Sequence, residues 1–255
     1  MVLLQEFGPS IWIVDGPFVN FFGCPYPTRM ALIQLEDGSS WVWSPVKLTD
    51  ELKEDLKAKG LDKVKHVVSP NAIHNLFLKE WQDAFPTATF YSPPGLSKRK
   101  IVADVRFDKD LIDFRTMNNN YNSIGEDQVA YAKEIAQIIV RGSSLLAEVA
   151  FFHPKSKTVI IGDLIQRFQD HQAHGFNKLL LKMHGLYGPN GSTPRDWRLT
   201  FMFGKDITRK ARDVIVNDWK PEYLIIAHGE CVIDGTATEV ISKALSWLDK
   251  CQDCC

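Results

Sequence analysis

The sequence predicts an α+β fold in which two mixed β-sheets face each other with helices on the outside, a four-layer αββα sandwich. Three observations carry this. Short apolar runs of β type cluster at the start of the chain and return after residue 135. Segments of helical spacing alternate with strands in between, so the order is strands, helix–strand units, strands, then helix–strand–helix. That order lacks the steady alternation of a doubly wound parallel sheet, and no short-period repeat marks a solenoid.

Each element has its own signal. SIWIVD at 10–15, RMALIQL at 29–35 and SSWVWSPV at 39–46 read as strands, separated by Gly/Pro-rich turns and by the hairpin turn EDG. LTDELKEDLKAKG at 48–60 is a helix with Thr49 as N-cap and Gly60 as stop. VKHVVS follows as a short buried strand. Ile73, Phe77 and Trp81 recur every fourth residue, with Leu76 and Ala84 beside them, which predicts a helix over 73–85. ATFYS is a strand ended by Pro93-Pro94. Residues 101–133 show little periodicity and read as an irregular excursion. IAQIIVRG, LAEVAFFH and KTVIIGDL are three successive strands. Helices and loops fill 164–218, EYLIIAHG is a further buried strand, and 236–249 is a closing helix.

The 255 residues are 45% hydrophobic and 24% charged, as in folded proteins, and organise as a single domain over 1–250. A net charge of −1 gives no global attraction to nucleic acid or anionic membranes. The KRK run at 98–100 reads as a solvated loop. MVLLQEFGPS lacks the basic and apolar regions of a signal peptide, and no apolar run is long enough to span a bilayer. Five cysteines, three of them in the tail at 251–255, do not make a disulfide framework. An intracellular, cytoplasmic protein with no transmembrane segment and no nucleic-acid partner is expected. Neither substrate nor oligomeric state is written in the sequence.

His74, Asp163 and His228 share one property: each follows a short apolar β run. Strand ends of mixed α/β folds converge on one rim, where chemistry is placed. Two imidazoles and a carboxylate there would suit one zinc or iron ion. The alternative is structural for each: a polar residue near a helix start, a cap after GDLIQRF, and a hydrogen bond in the turn before Gly229. Glu148 in LAEVAFF is a candidate general base or the member of an ion pair, and Ser69 and Asn71 are candidates to orient water or substrate. Ser69, Asp163 and His228 also follow the chain order of α/β-hydrolase triads, but SPN lacks the glycines of a nucleophile elbow. Walker A, G-x-G-x-x-G and H-E-x-x-H motifs are absent. His171, His174 and His184 accompany a glycine-rich surface loop at 184–198. Trp41, Trp43 and Tyr26 would line a cleft in a non-catalytic binding domain, or fill the core.

These residues resemble the metallo-β-lactamase fold, with its strand-end loop H-x-H-x-D-H, a later histidine, a G-D strand end and a closing histidine. IWIVDGP, PYPTRMALIQL, WVWSPV, SPNAIH, FLKEW and LLAEVAFFH are similar, more narrowly, to an uncharacterised branch, domain of unknown function 4336. The resemblance puts Ser69, Asn71 and Ile73 at the first histidine, second histidine and aspartate of the loop, and His74 at its last histidine. The later histidine falls near Ser143 or Ser144, while Asp163 and His228 match the bridging aspartate and final histidine. It implies a degenerate centre: a metal-dependent hydrolase holding one ion, or a non-catalytic or regulatory domain that has lost metal.

Overall fold

The structure is a computed structural model that describes residues 3–21, 24–112, 129–172 and 175–249. The cysteine-rich tail, residues 113–128 of the expected excursion, and His174 lie outside the described residues. The chain divides into two compact units. The first comprises the described residues up to Ile138 together with His153–Ser156, and the second Ile139–Phe152 with those from Lys157 onward.

The first unit opens with β1 (Gln5–Gly8), β2 (Ile11–Asp15), the β3 (Val19–Phe21) and β4 (Cys24–Tyr26) hairpin, β5 (Arg29–Gln34) and β6 (Ser40–Trp43). It continues through α1 (Asp50–Ala58), β7 (Val64–Val68), α2 (Leu78–Ala84), β8 (Thr89–Ser92) and β9 (Lys109–Asp110). Among the described residues, seven strands form one sheet in the order β1-β2-β5-β6-β7-β8-β9. It is mixed: β2, β5 and β6 pair antiparallel, whereas β6, β7, β8 and β9 run parallel. β5 is an interior strand buried along nearly its whole length, which explains its apolar run MALI. Trp41 and Trp43 are fully buried core residues, so they do not line an open cleft; Tyr26 is half-buried.

α1 forms where its caps dictate. The Thr49 hydroxyl accepts from the Leu52 N–H, Asp50 and Glu51 stand in the first turn, and Lys57 in the last. Leu52 and Leu56, one turn apart, are its buried face, and Gly60 takes the left-handed conformation that ends it. Thr49→Ala is expected to remove about 1 kcal/mol of stability, read by urea unfolding.

The helix expected over 73–85 starts at Leu78. Ile73 and Leu76 fit the helical spacing but are exposed. Side-chain bonds from Ser69 and Asn71 hold the preceding residues in a loop. α2 docks through Trp81, whose indole donates to the Val46 carbonyl, and through Gln82, which exchanges two bonds with the Arg106 backbone. The start of the expected excursion therefore has structure: a short turn and β9, which joins the sheet edge.

A second sheet has the order β10-β11-β12-β13, formed by Ala136–Val140, Glu148–His153, Thr158–Ile161 and Tyr223–Ile226. The second unit also carries the helices α3 (Gly175–Met183), α4 (Arg195–Leu199), α5 (Lys205–Asp213) and α6 (Ala237–Ala244), with a π-helical turn extending α5. No described helix is long and apolar enough to cross a membrane.

Two buried histidines set an acid limit on stability. Burial lowers both His66 and His153 from 6.5 to about 4. Below the unfolded value the unfolded chain takes up protons that the folded chain refuses, so stability is lost as pH falls from about 6.5 toward 4. Unfolding free energy is expected to be about 3 kcal/mol smaller at pH 5.5 than at pH 7.5. Urea titrations that give equal values at the two pHs would contradict this.

Candidate metal centre

In the first unit, β7 delivers the chain to Ser69 and then to the loop that carries His74. Ser69 is fully buried, and its hydroxyl lies 2.8 Å from the Asn71 carbonyl and 2.6 Å from that of His74. The Asn71 amide oxygen accepts from the Ile73 N–H at 3.0 Å, closing an Asx turn. Both side chains thus brace the loop, and the Ser69 hydroxyl is turned to backbone carbonyls, not to the open side a triad nucleophile needs. His74 is held from a distant point: its Nδ1 lies 2.7 Å from the Ser44 hydroxyl. Ser44 directly follows β6 with a left-handed φ of 49° and binds through its N–H to the Val68 carbonyl. The sequence had not marked Ser44, whose link to His74 spans 30 residues.

In the second unit the geometry follows from strand register. β12 and β13 are parallel, with Ile161 paired to Ile226. Asp163 and His228 each stand two residues beyond that pair, so the strands bring them side by side. The Asp163 Oδ1 lies 3.0 Å from the His228 Nε2, both side chains being more than nine-tenths buried.

Two further residues fix the pair. Glu148, the first residue of β11, is buried, and its carboxylate accepts from the backbone N–H groups of Gly162 (3.0 Å), Asp163 (2.6 Å) and Leu164 (3.2 Å). The loop bearing Asp163 is wrapped around that carboxylate, which gives Glu148 a positioning role. After His228, Gly229 has φ of 103°, and a Cβ there would sit 2.1 Å from the Arg167 carbonyl. The Arg167 backbone accepts from the Glu230 N–H at 2.7 Å, and its guanidinium donates to the carbonyls of Glu230 and Cys231.

His74, Asp163 and His228 each offer one ligand atom, and these atoms all lie within 4.8 Å of one another. Among the described residues this is the one group of three or more His, Cys, Asp or Glu side chains with such spacing. A spread of up to 4.8 Å is wider than the roughly 3.4 Å between donors that stand about 2.1 Å from a tetrahedral ion, so an ion would draw the three side chains inward. Two nitrogens and a carboxylate are also the right donor chemistry. The other positions do not converge. Ser143 bonds to the Thr200 hydroxyl and the Trp197 indole, His184 faces Asp196 at 3.4 Å, and His171 is exposed.

Solved structures share this fold at low identity. The metallo-β-lactamase DIM-1, exposed to ceftazidime, matches with a TM-score of 0.60 and 10% identity over 97% of this chain and 98% of its own. FIM-1 from Pseudomonas aeruginosa, in its mono-zinc form, gives 0.58 and 9% over 96% and 95%. The Flv1 flavodiiron core from Synechocystis gives 0.60 and 12% over 97% of this chain and 60% of that one. No curated protein matches the sequence. The fold is that of the metallo-β-lactamases, with mixed sheets flanked by helices. The family described as Domain of unknown function (DUF4336) matches residues 9–182, and the chain belongs to that family.

Proposed function

We propose that this protein is a metal-dependent hydrolase that works with one ion, held by His74, Asp163 and His228. The observation that carries the reading is the convergence of these three donors within 4.8 Å. With Nδ1 of His74 turned to Ser44, its Nε2 would be the ligand. A bound zinc or iron ion would act as a Lewis acid and lower the pKa of a coordinated water toward neutrality. Ser69, Asn71 and Glu148 act on the loops: the first two shape the turn that presents His74, and the third sets Asp163. The same commitments argue against a second ion, since Asn71 uses its oxygen in the turn and Ile73 brings no donor. One neighbour of the same fold was solved in a mono-zinc form. An intracellular location goes with this reading, because the five cysteines of the sequence, three of them in its last five residues, do not make a disulfide framework.

One observation favours a second reading, a non-catalytic domain. The 3.0 Å contact between Asp163 and His228 is a complete hydrogen bond without an ion. Metal content separates the two. Protein purified without chelator is expected to hold about one equivalent of zinc or iron. Chelation should lower stability by about 3 kcal/mol when the ion is present at a hundred times its Kd, a fall of roughly 5–10 °C. His228→Ala should lose the ion while keeping its circular dichroism. Less than about a tenth of an equivalent, with no response to chelator, would leave the non-catalytic reading.

A further inference from the structure

We propose that the face built by α3, α4, α5 and the loop after β10 docks on an anionic lipid bilayer. The face has its own apolar composition. Phe203 is 96% exposed, Leu199 75% and Leu145 68%, and Met202 and Ile207 are also exposed. Local packing explains why these side chains stand outside. In TFMFG, Phe201 alone turns inward, against Trp197 and Trp247 with ring centroids 5.5 and 5.3 Å away. Gly142 and Gly204 meet backbone to backbone, so that a Cβ on Gly204 would lie 2.1 Å from the Gly142 carbonyl. The Ser144 N–H donates to the Thr200 carbonyl at 3.0 Å, which sets Leu145 beside the end of α4. α3 is tied to the start of α4 through His184 and Asp196, and it adds the exposed Leu179 and Met183, one helical turn apart.

Charge selects the partner. From Gly175 to Asp213 the chain carries four lysines and four arginines against three aspartates, an excess of five on a protein of net charge −1. Arg195, Lys205 and Lys210 are exposed within this stretch, among the protruding apolar side chains. The apolar groups project from turns and short helices. Projecting Leu, Met and Phe insert between lipid headgroups, while adjacent Lys and Arg meet the phosphates. Near an anionic surface each such cation contributes roughly fivefold to affinity. Docking of this kind needs no spanning helix.

Flotation of the full chain with vesicles tests the proposal. Vesicles of phosphatidylcholine with about 30 mol % phosphatidylserine are expected to bind at least roughly tenfold more protein than phosphatidylcholine alone. Phe203→Ser combined with Met202→Ser should lower the partition coefficient about tenfold or more, as should Lys205→Glu with Lys210→Glu. All four positions are exposed, so the melting temperature reports an intact fold throughout. No binding to anionic vesicles, or binding that neither double variant weakens, overturns the proposal. It is equally overturned if the protein is a dimer by light scattering that Phe203→Ser dissociates without change in lipid binding, because the face then belongs to a second copy.

Discussion

Glu148→Ala is expected to destabilise the protein by about 3–6 kcal/mol, a large part of what holds a domain folded. The carboxylate is buried and accepts from three consecutive backbone N–H groups, those of Gly162, Asp163 and Leu164. Alanine leaves all three donors without this acceptor, and each buried unsatisfied group costs about 1–3 kcal/mol. Glu148→Gln separates shape from hydrogen bonding. It keeps one acceptor oxygen but points an amide N–H₂ group toward other donors, so an intermediate loss of about 2–4 kcal/mol is expected. Urea unfolding reads both variants. If alanine costs less than about 1 kcal/mol, the carboxylate does not hold this loop. A general base would behave differently: its removal would lower activity with little change in stability.

Gly229→Ala is the second large effect, about 3–5 kcal/mol. Two causes add. A φ of 103° is strained for any L side chain, and the new Cβ would lie 2.1 Å from a backbone carbonyl, that of Arg167. A carbonyl fixed by the Glu230 N–H cannot swing aside as a flexible side-chain end would. The segments that carry Arg167 and Gly229, joined by an isolated parallel bridge, must part there, and His228 is the adjacent residue. Thermal melts should show the loss of stability, and metal analysis of whatever remains folded should show loss of the ion. A variant with unchanged melting temperature would mean that the backbone relaxes without strain.

Some of this was legible in the sequence, for physical reasons that differ by element. α1 announces itself because its cap, its apolar pair and its terminal glycine are local and agree. β1 was not legible: QEFG has no apolar alternation, and its half-exposed residues belong to an edge strand. The helical period that begins at Ile73 points five residues ahead of the true start of α2, because burial does not support it there. Within the centre, Asp163 and His228 stood out because buried strands rarely end in ionisable residues without cause. Ser44 could not be found this way, since its tie to His74 depends on β6 and β7 lying side by side. The work of Glu148 was hidden for a related reason. Its partners are backbone amides, which carry no residue-type signature.

The parallel pairing of Ile161 with Ile226 has an evolutionary corollary. Side chains along a strand alternate faces, so a single residue inserted or deleted ahead of Asp163 or His228, on one strand alone, changes its phase relative to the other. An odd-numbered indel next to either residue would therefore set carboxylate and imidazole on opposite faces and dismantle the pair at a stroke.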